Sequence, residues 1–315
     1  MGVTSNQNHH LSFSRLKLFF ALSRTQHGLI DMATPCLCAL LWLGDFPPLR
    51  VILLGLITTF AGYTAVYALN DVVDFRADKE KLKQSRSTDS GNYLDDVLER
   101  HPMADGLMDL KEGVIWVMAW SLIAGVGAYL LNPMCVIIFL GGCALETIYC
   151  LLLKISHLRT LVSGAVKTTG AIAAIFAVDP SPSPLLLGLL FLWLFFWEIG
   201  GQNVPADWTD IEEDRRFQAK TIPVRLGPER ASGIILGSVI LSVIINVILL
   251  GLVQGGDGWA YVIACFLVGL YLLVYPALRL YRTKERLHAI ELFNKASFYP
   301  LVLFVIITIR LMMRL

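Results

Sequence analysis

Apolar and polar residues in this chain sort into long blocks, not into the short alternation of a sheet. Apolar blocks occupy residues 28–44, 49–69, 113–131, 133–153, 160–178, 184–202, 232–253, 258–278 and 296–313. Each approaches the roughly 20 residues that an α-helix needs to cross the hydrocarbon core of a bilayer. The pattern therefore predicts nine spans. Asn132-Pro133, residues 180–184 and residues 255–258 are short turns between neighbouring spans. Residues 11–23 mix Phe13, Leu16, Phe19 and Phe20 with Arg15 and Lys17 and read as a short interfacial helix, whose first residues overlap a disordered tail expected over residues 1–12.

Composition agrees with a polytopic membrane protein. The 315 residues are 56% hydrophobic and 16% charged, with mean hydropathy +0.63. Ordinary soluble domains carry roughly 25% charged residues. A cleavable signal peptide is not expected, because residues 1–10 are polar and no short apolar segment with a small-residue cleavage site follows. The net charge of +1 says nothing for a nucleic-acid partner, and none is expected. Six cysteines lie in apolar blocks without a CxxC pair and read as small core residues.

The loop charges orient the spans. With the N-terminus inside, 22 Lys and Arg residues fall on the inner side and only Arg50, Arg310 and Arg314 fall outside. That bias predicts a cytoplasmic N-terminus and a C-terminus on the opposite side.

The chemistry is carried by acids. Residues 70–78 read Asn-Asp-Val-Val-Asp-Phe-Arg-Ala-Asp and follow the block 49–69. Asp71, Asp74 and Asp78 fall at i, i+3 and i+7, which places them within an arc of about 60° on a helix. Like charges on one face repel, so a cation should sit against them. Asp207, Asp210 and Asp214 repeat the spacing after another apolar block, with Asn203 four residues earlier. Gly200-Gly201 and Pro205 make one continuous helix doubtful there. Both triads fall on the cytoplasmic side, where they can form one site. Oxygen ligands without His or Cys point to Mg²⁺, which shares its shell with water and substrate phosphates.

Other polar residues lie within the blocks. Asp31, Glu146, Lys167 and Glu198 should face the bundle interior or a water-filled cavity. Tyr149 lies one turn from Glu146, and Lys154 and Arg159 close that segment. They serve as ordinary inside anchors or, beside two acidic triads, as phosphate-binding cations. The Trp-rich run 193–197 reads as packing and interface anchoring. His27, His101 and His157 show no metal-ligand spacing.

These residues resemble the UbiA superfamily of intramembrane prenyltransferases. Asn70, Asp71, Asp74 and Asp78 match its NDxxDxxxD motif. Asp207, Asp210, Ile211, Glu212 and Asp214 match its second motif, and residues 220–227, from Lys220 to Gly227, are similar to the tail that follows. Residues 101–106 look like its R-P-x-x-x-G element, Tyr149 and Lys154 like its Tyr-x-x-x-Lys element, and Arg24 like its basic residue at the first span. Three features depart from the pattern: His101 stands for Arg, Thr25 follows Arg24 where Pro is usual, and residues 79–100 form a longer charged cytoplasmic loop, with a short helix at 93–100 and the composition of a lid.

The resemblance implies a single all-α domain over residues 1–315, with about nine transmembrane helices around a central cavity. It implies transfer of a prenyl group from an isoprenyl diphosphate to a hydrophobic or aromatic acceptor within membrane lipid. Asp71, Asp74, Asp78, Asp207, Asp210 and Asp214 would hold Mg²⁺ and act in catalysis. Asn70, Arg24, Tyr149, Lys154, Arg159, Asn203 and Lys220 would bind substrate. A membrane terpene cyclase of the same superfamily, and a cation or lipid transporter or binding protein, are the other readings.

Overall fold

The computed structural model describes residues 15–84, 101–254 and 258–313, and all regular structure among them is helical. The expected disordered tail and the short helix at 93–100 lie outside the described residues. Helix runs through Arg15–Leu22, and the chain then turns at Arg24 with φ 43°.

The first expected span is two pieces, α1 (Thr25–Asp31) and α2 (Ala33–Leu43), joined at Met32. Pro35 lies in the first turn of α2, where a missing N–H costs no helical bond. α3 (Leu49–Gln84) is a single helix of 36 residues. At 1.5 Å per residue it is roughly 54 Å long, against about 30 Å of hydrocarbon. It therefore carries Asp71, Asp74 and Asp78 out of the apolar layer without a break. This corrects the expected loop at 79–100: residues 79–84 are helix, because Ala77 through Gln84 contain no breaker.

α4 (Leu110–Leu131) starts at a capping box between Asp109 and Glu112, and α5 (Pro133–Leu151) starts at Asn132, whose side chain accepts from the Met134 N–H. α6 is Arg159–Val178 and α7 is Pro184–Trp197. A π-helical turn, Glu198–Asn203, links α7 to α8 (Val204–Thr209), and α9 (Ile211–Phe217) follows after Asp210 leaves helical geometry at φ −108°, ψ 13°. α10 (Ile222–Gln254) is kinked at Gly227 (φ 77°) and Pro228. α11 (Trp259–Gly269), a π turn at Leu270–Val274 and α12 (Tyr275–Thr283) make one crossing, and α13 (Arg286–Met312) makes the last.

Eight helical stretches among the described residues are long and apolar enough to cross a membrane. The first expected span is not among them, because it is split into helices of 7 and 11 residues. Contacts between element ends gather those ends at two separate sites. At one end Trp42 Nε1 donates to Asp179 at 2.9 Å and Asn132 Nδ2 to the Phe176 carbonyl at 2.9 Å. At the other, Arg286 Nε donates to the Thr209 carbonyl at 2.9 Å and the Lys220 N–H to the Leu153 carbonyl at 2.8 Å.

The main core packs α2, α6, α7, α10 and α13 around Trp193, Trp197 and Tyr299, and Trp197 Nε1 donates to the Ala296 carbonyl at 3.1 Å. The outer faces carry Leu53, Ile57, Ile115, Met118, Leu122 and Ile263, all exposed. Such a surface is stable only in lipid. The protein is an integral membrane protein.

Candidate active site

Both acidic segments reach the same end of the bundle, but their side chains are distributed differently. On α3, Asp71 is 2% exposed and turns toward Arg24 Nη2 at 3.4 Å and His101 Nδ1 at 3.8 Å. Asp78 meets the same His101 nitrogen at 3.1 Å. Burial disfavours the His101 cation, yet the contact with Asp78 and the charge of Asp71 outweigh it and hold the imidazole above its ordinary pKa. Asp74 faces the cavity.

On the second segment a π turn precedes all three aspartates, and α8 ends at Asp210. The i, i+3, i+7 stripe therefore does not lie on one helix here. Asp207 is in α8 and Asp214 in α9. Gly200 and Gly201 let the π turn pack closely: a Cβ on Gly200 would come 2.8 Å from the Ile235 carbonyl, and one on Gly201 would come 2.9 Å from Ala296 Cβ. Asp207 Oδ1 lies 3.6 Å from Arg159 Nη1. Asp214 Oδ1 lies 3.2 Å from Lys81 Nζ. Burial raises the Asp214 carboxyl above the usual range, against the opposing pull of Lys81.

α5 joins the two halves. Asn70 Nδ2 donates to Glu146 at 2.5 Å, and Asn203 Nδ2 donates to the Tyr149 hydroxyl at 2.9 Å. The Arg159 guanidinium covers the Tyr149 ring at 3.9 Å and interacts electrostatically with Asp207, Asp74 and Asp214. Lys81 bridges α3 to α9 directly. One cavity of about 1130 Å³ receives Asn70, Asp74, Asp78, Asn203, Asp207, Asp210 and Asp214, together with Arg24, Tyr149 and Arg159. Deeper walls are apolar and aromatic, including Val51, Ile52, Leu56, Tyr63, Ile138 and Phe139.

Three residues expected at the site lie off its lining: Asp71, buried against Arg24 and His101, and two lysines. Lys154 pairs with Glu80 at 3.1 Å and stacks its ammonium over Phe217 at 3.6 Å. Lys220 donates to the Ile155 carbonyl at 3.2 Å. Both cap the junction between α5, α6 and α9 from outside. Lys81 and His101 stand at the acids instead. Lys81 is one turn beyond Ala77 on the acid-bearing helix, and a helix continued past Asp78 would have placed it there. His101 showed no metal-ligand spacing, since its partners are 23 and 30 residues away, and only its place at the head of residues 101–106 set it apart.

The donor set fits a divalent cation. Asp71 Oδ2, Asp207 Oδ2 and Asn203 Oδ1 are buried without a hydrogen-bond partner. Ligand atoms of Asp71, Asp78 and His101 lie within 4.8 Å of one another. Buried oxygens left unpartnered are costly, and a hard cation satisfies several at once.

These features define a class: an integral membrane protein whose helices enclose one cavity, acidic at the membrane surface and apolar within. Sequence comparison gives the family. Residues 32–301 match the UbiA prenyltransferase family, and the chain belongs to it. The 4-hydroxybenzoate octaprenyltransferase of Salmonella paratyphi B is 26% identical over 298 residues, covering 93% of this chain and 95% of the relative. Among solved structures, the apo UbiA homologue from Aeropyrum pernix K1 superimposes with TM-score 0.66 at 20% identity, over 90% of this chain and 98% of that one. A UbiA homologue from Archaeoglobus fulgidus bound to DMAPP and Mg²⁺ does so with TM-score 0.66 at 15% identity, over 92% and 99%.

Proposed function

We propose that the protein transfers a prenyl group from an isoprenyl diphosphate to a hydrophobic or aromatic acceptor, with Mg²⁺ held by the six aspartates. The observation that carries this reading is the convergence of both acidic segments with Arg24 and Arg159 on one cavity that continues into apolar walls. The Archaeoglobus homologue holds DMAPP and Mg²⁺, and the Salmonella relative is named as a prenyltransferase, which supports the same chemistry here.

Asp71, Asp74 and Asp78 on one side, and Asp207, Asp210 and Asp214 on the other, would hold the metal. Mg²⁺, when bound, neutralises diphosphate charge and makes it a better leaving group. Arg159 and Arg24 add fixed positive charge where the leaving group gathers negative charge. Asn70 and Asn203 orient the segments through Glu146 and Tyr149. Tyr63, Phe139 and the apolar walls receive the tail and exclude water from the allylic carbon. Lys154 and Lys220 secure the surrounding junction rather than touch substrate. The charge bias of the loops supports a cytoplasmic position for this end of the bundle, with the N-terminus inside and the C-terminus outside. The product then belongs to quinone or lipid biosynthesis.

The test is product analysis by mass spectrometry, with purified protein, several isoprenyl diphosphates and a panel of acceptors. Acceptor-dependent diphosphate release with a prenylated product is expected. Acceptor-independent release with a cyclised product would replace transfer by cyclisation, and no release from any diphosphate would refute both.

A further inference from the structure

One to two turns inside the acidic end, the cavity wall carries a second polar layer that diphosphate chemistry does not use. Lys167 Nζ lies 2.6 Å from Asp31 Oδ2, to which the Tyr67 hydroxyl also donates. His27 Nε2 is 3.7 Å from the same oxygen. Ser163 Oγ donates to Glu198 Oε1 at 2.7 Å, and Lys167 Nζ stands 5.6 Å from the centroid of the Trp197 ring. His27, Tyr67, Ser163, Lys167 and Glu198 all line the cavity. Glu198 is 7% exposed, and its Oε2 is buried with no hydrogen-bond partner.

The depth of this layer follows from helix register. Tyr67 is one turn before Asp71 on α3, and Ser163 and Lys167 are one and two turns past Arg159 on α6. At 1.5 Å per residue that is roughly 6–12 Å below the acids. An isoprenyl diphosphate anchored at the acids has its reactive carbon next to the phosphates. The layer thus stands where an attacking acceptor must lie. An apolar tail gains nothing from a buried ion pair and a second carboxylate.

We propose that Glu198, flanked by Lys167 and Asp31, is the acceptor subsite, and that it takes a neutral hydroxylated aromatic ring whose O–H donates to Glu198 Oε2. The inference rests on the prenyl-transfer reading above. The orphaned carboxylate oxygen selects a donor. Lys167 is already engaged by Asp31 at 2.6 Å, so an acceptor bearing its own carboxylate would have to compete with Asp31 for it. The stacked rings of Tyr63 and Tyr67, with centroids 6.2 Å apart, give the same wall an aromatic face. The expected acceptor therefore differs from the benzoate named for the Salmonella relative.

The experiment compares wild type, Glu198→Met and Glu198→Gln for isoprenyl diphosphate affinity and for acceptor KM and kcat. Methionine removes the acceptor oxygen without leaving a buried charge, and glutamine restores an oxygen of the same reach. Glu198→Met should raise the KM of a neutral phenol about tenfold or more, as loss of a hydrogen bond to a charged group does. Its affinity for isoprenyl diphosphate should stay within about twofold of wild type, and Glu198→Gln should recover most of the KM. An unmoved KM in Glu198→Met overturns the proposal. Wild type alone decides if that variant does not fold. It should use the free phenol far better than its methyl ether or the matching benzoate, and equal use of the three overturns the subsite. Wild type that binds no isoprenyl diphosphate removes the transfer reading and the inference with it. Binding with transfer but without phenol selectivity removes the inference alone.

Discussion

Arg159 is where the two acidic segments and the substrate phosphates would share one charge, so replacing it gives a quantitative test of the site. Its guanidinium is 3.6 Å from Asp207 and 3.9 Å from the Tyr149 ring, and the residue is 6% exposed. At an effective dielectric of about 20, two unit charges at that separation attract by about 4.6 kcal/mol. Removing one partner of a buried pair costs roughly 3–5 kcal/mol, because the other charge is left without compensation. Water and counter-ions entering the cavity recover part of this, which leaves about 2–3 kcal/mol at the diphosphate subsite. Arg159→Met should therefore weaken isoprenyl diphosphate binding on the order of 100-fold. Arg159→Lys keeps the charge and loses the planar fork and the stacking on Tyr149, and should fall about tenfold. Lys154→Met, on the outer face of the same junction, should change affinity less than about twofold, as an exposed pair does. Calorimetric titration in detergent with Mg²⁺ present, on variants that purify folded and monodisperse, measures all three. Wild-type affinity in Arg159→Met, or a loss in Lys154→Met as large as that in Arg159→Met, would refute the placement.

Three further outcomes test the same structure. Asp74→Asn and Asp210→Asn should each lower turnover on the order of 100-fold; the double variant should lose far less than the product of the two, because residues serving one cluster act as a unit, and additive free-energy losses in well-folded protein would split the site in two. Chelation with EDTA should abolish diphosphate release and added Mg²⁺ should restore it, so full activity in excess chelator contradicts the oxygen-ligand reading. Single cysteines placed near the two ends of the chain in a background without the native six should label from opposite sides of the membrane; labelling from one side would exclude an odd number of crossings.

Length and period made the frame legible in the sequence, and partner choice hid the rest. Apolar blocks of span length forecast the crossings because lipid leaves helices little alternative. The acidic stripe on α3 was legible because that helix is uninterrupted from Leu49 to Gln84. The same spacing at Asp207, Asp210 and Asp214 falls on two helices, since the chain leaves helical geometry at Asp210. There the spacing located the acids but not their directions. Lys154 and Lys220 lay near motif residues in the chain and still turned outward, because Phe217 and the Ile155 carbonyl hold them there. Asp31, Lys167 and Glu198 were each recognisable as polar residues that lipid would not tolerate. Nothing local says that Asp31 meets Lys167 across 136 residues, or that Glu198 keeps one oxygen without a partner. Hydropathy ranks what a membrane rejects; only the packing of α1, α6 and the π turn decides which rejected groups satisfy each other. The group left unsatisfied is then set by register. One residue more or less before Glu198 would rotate it about 100° around the helix and out of reach of Ser163.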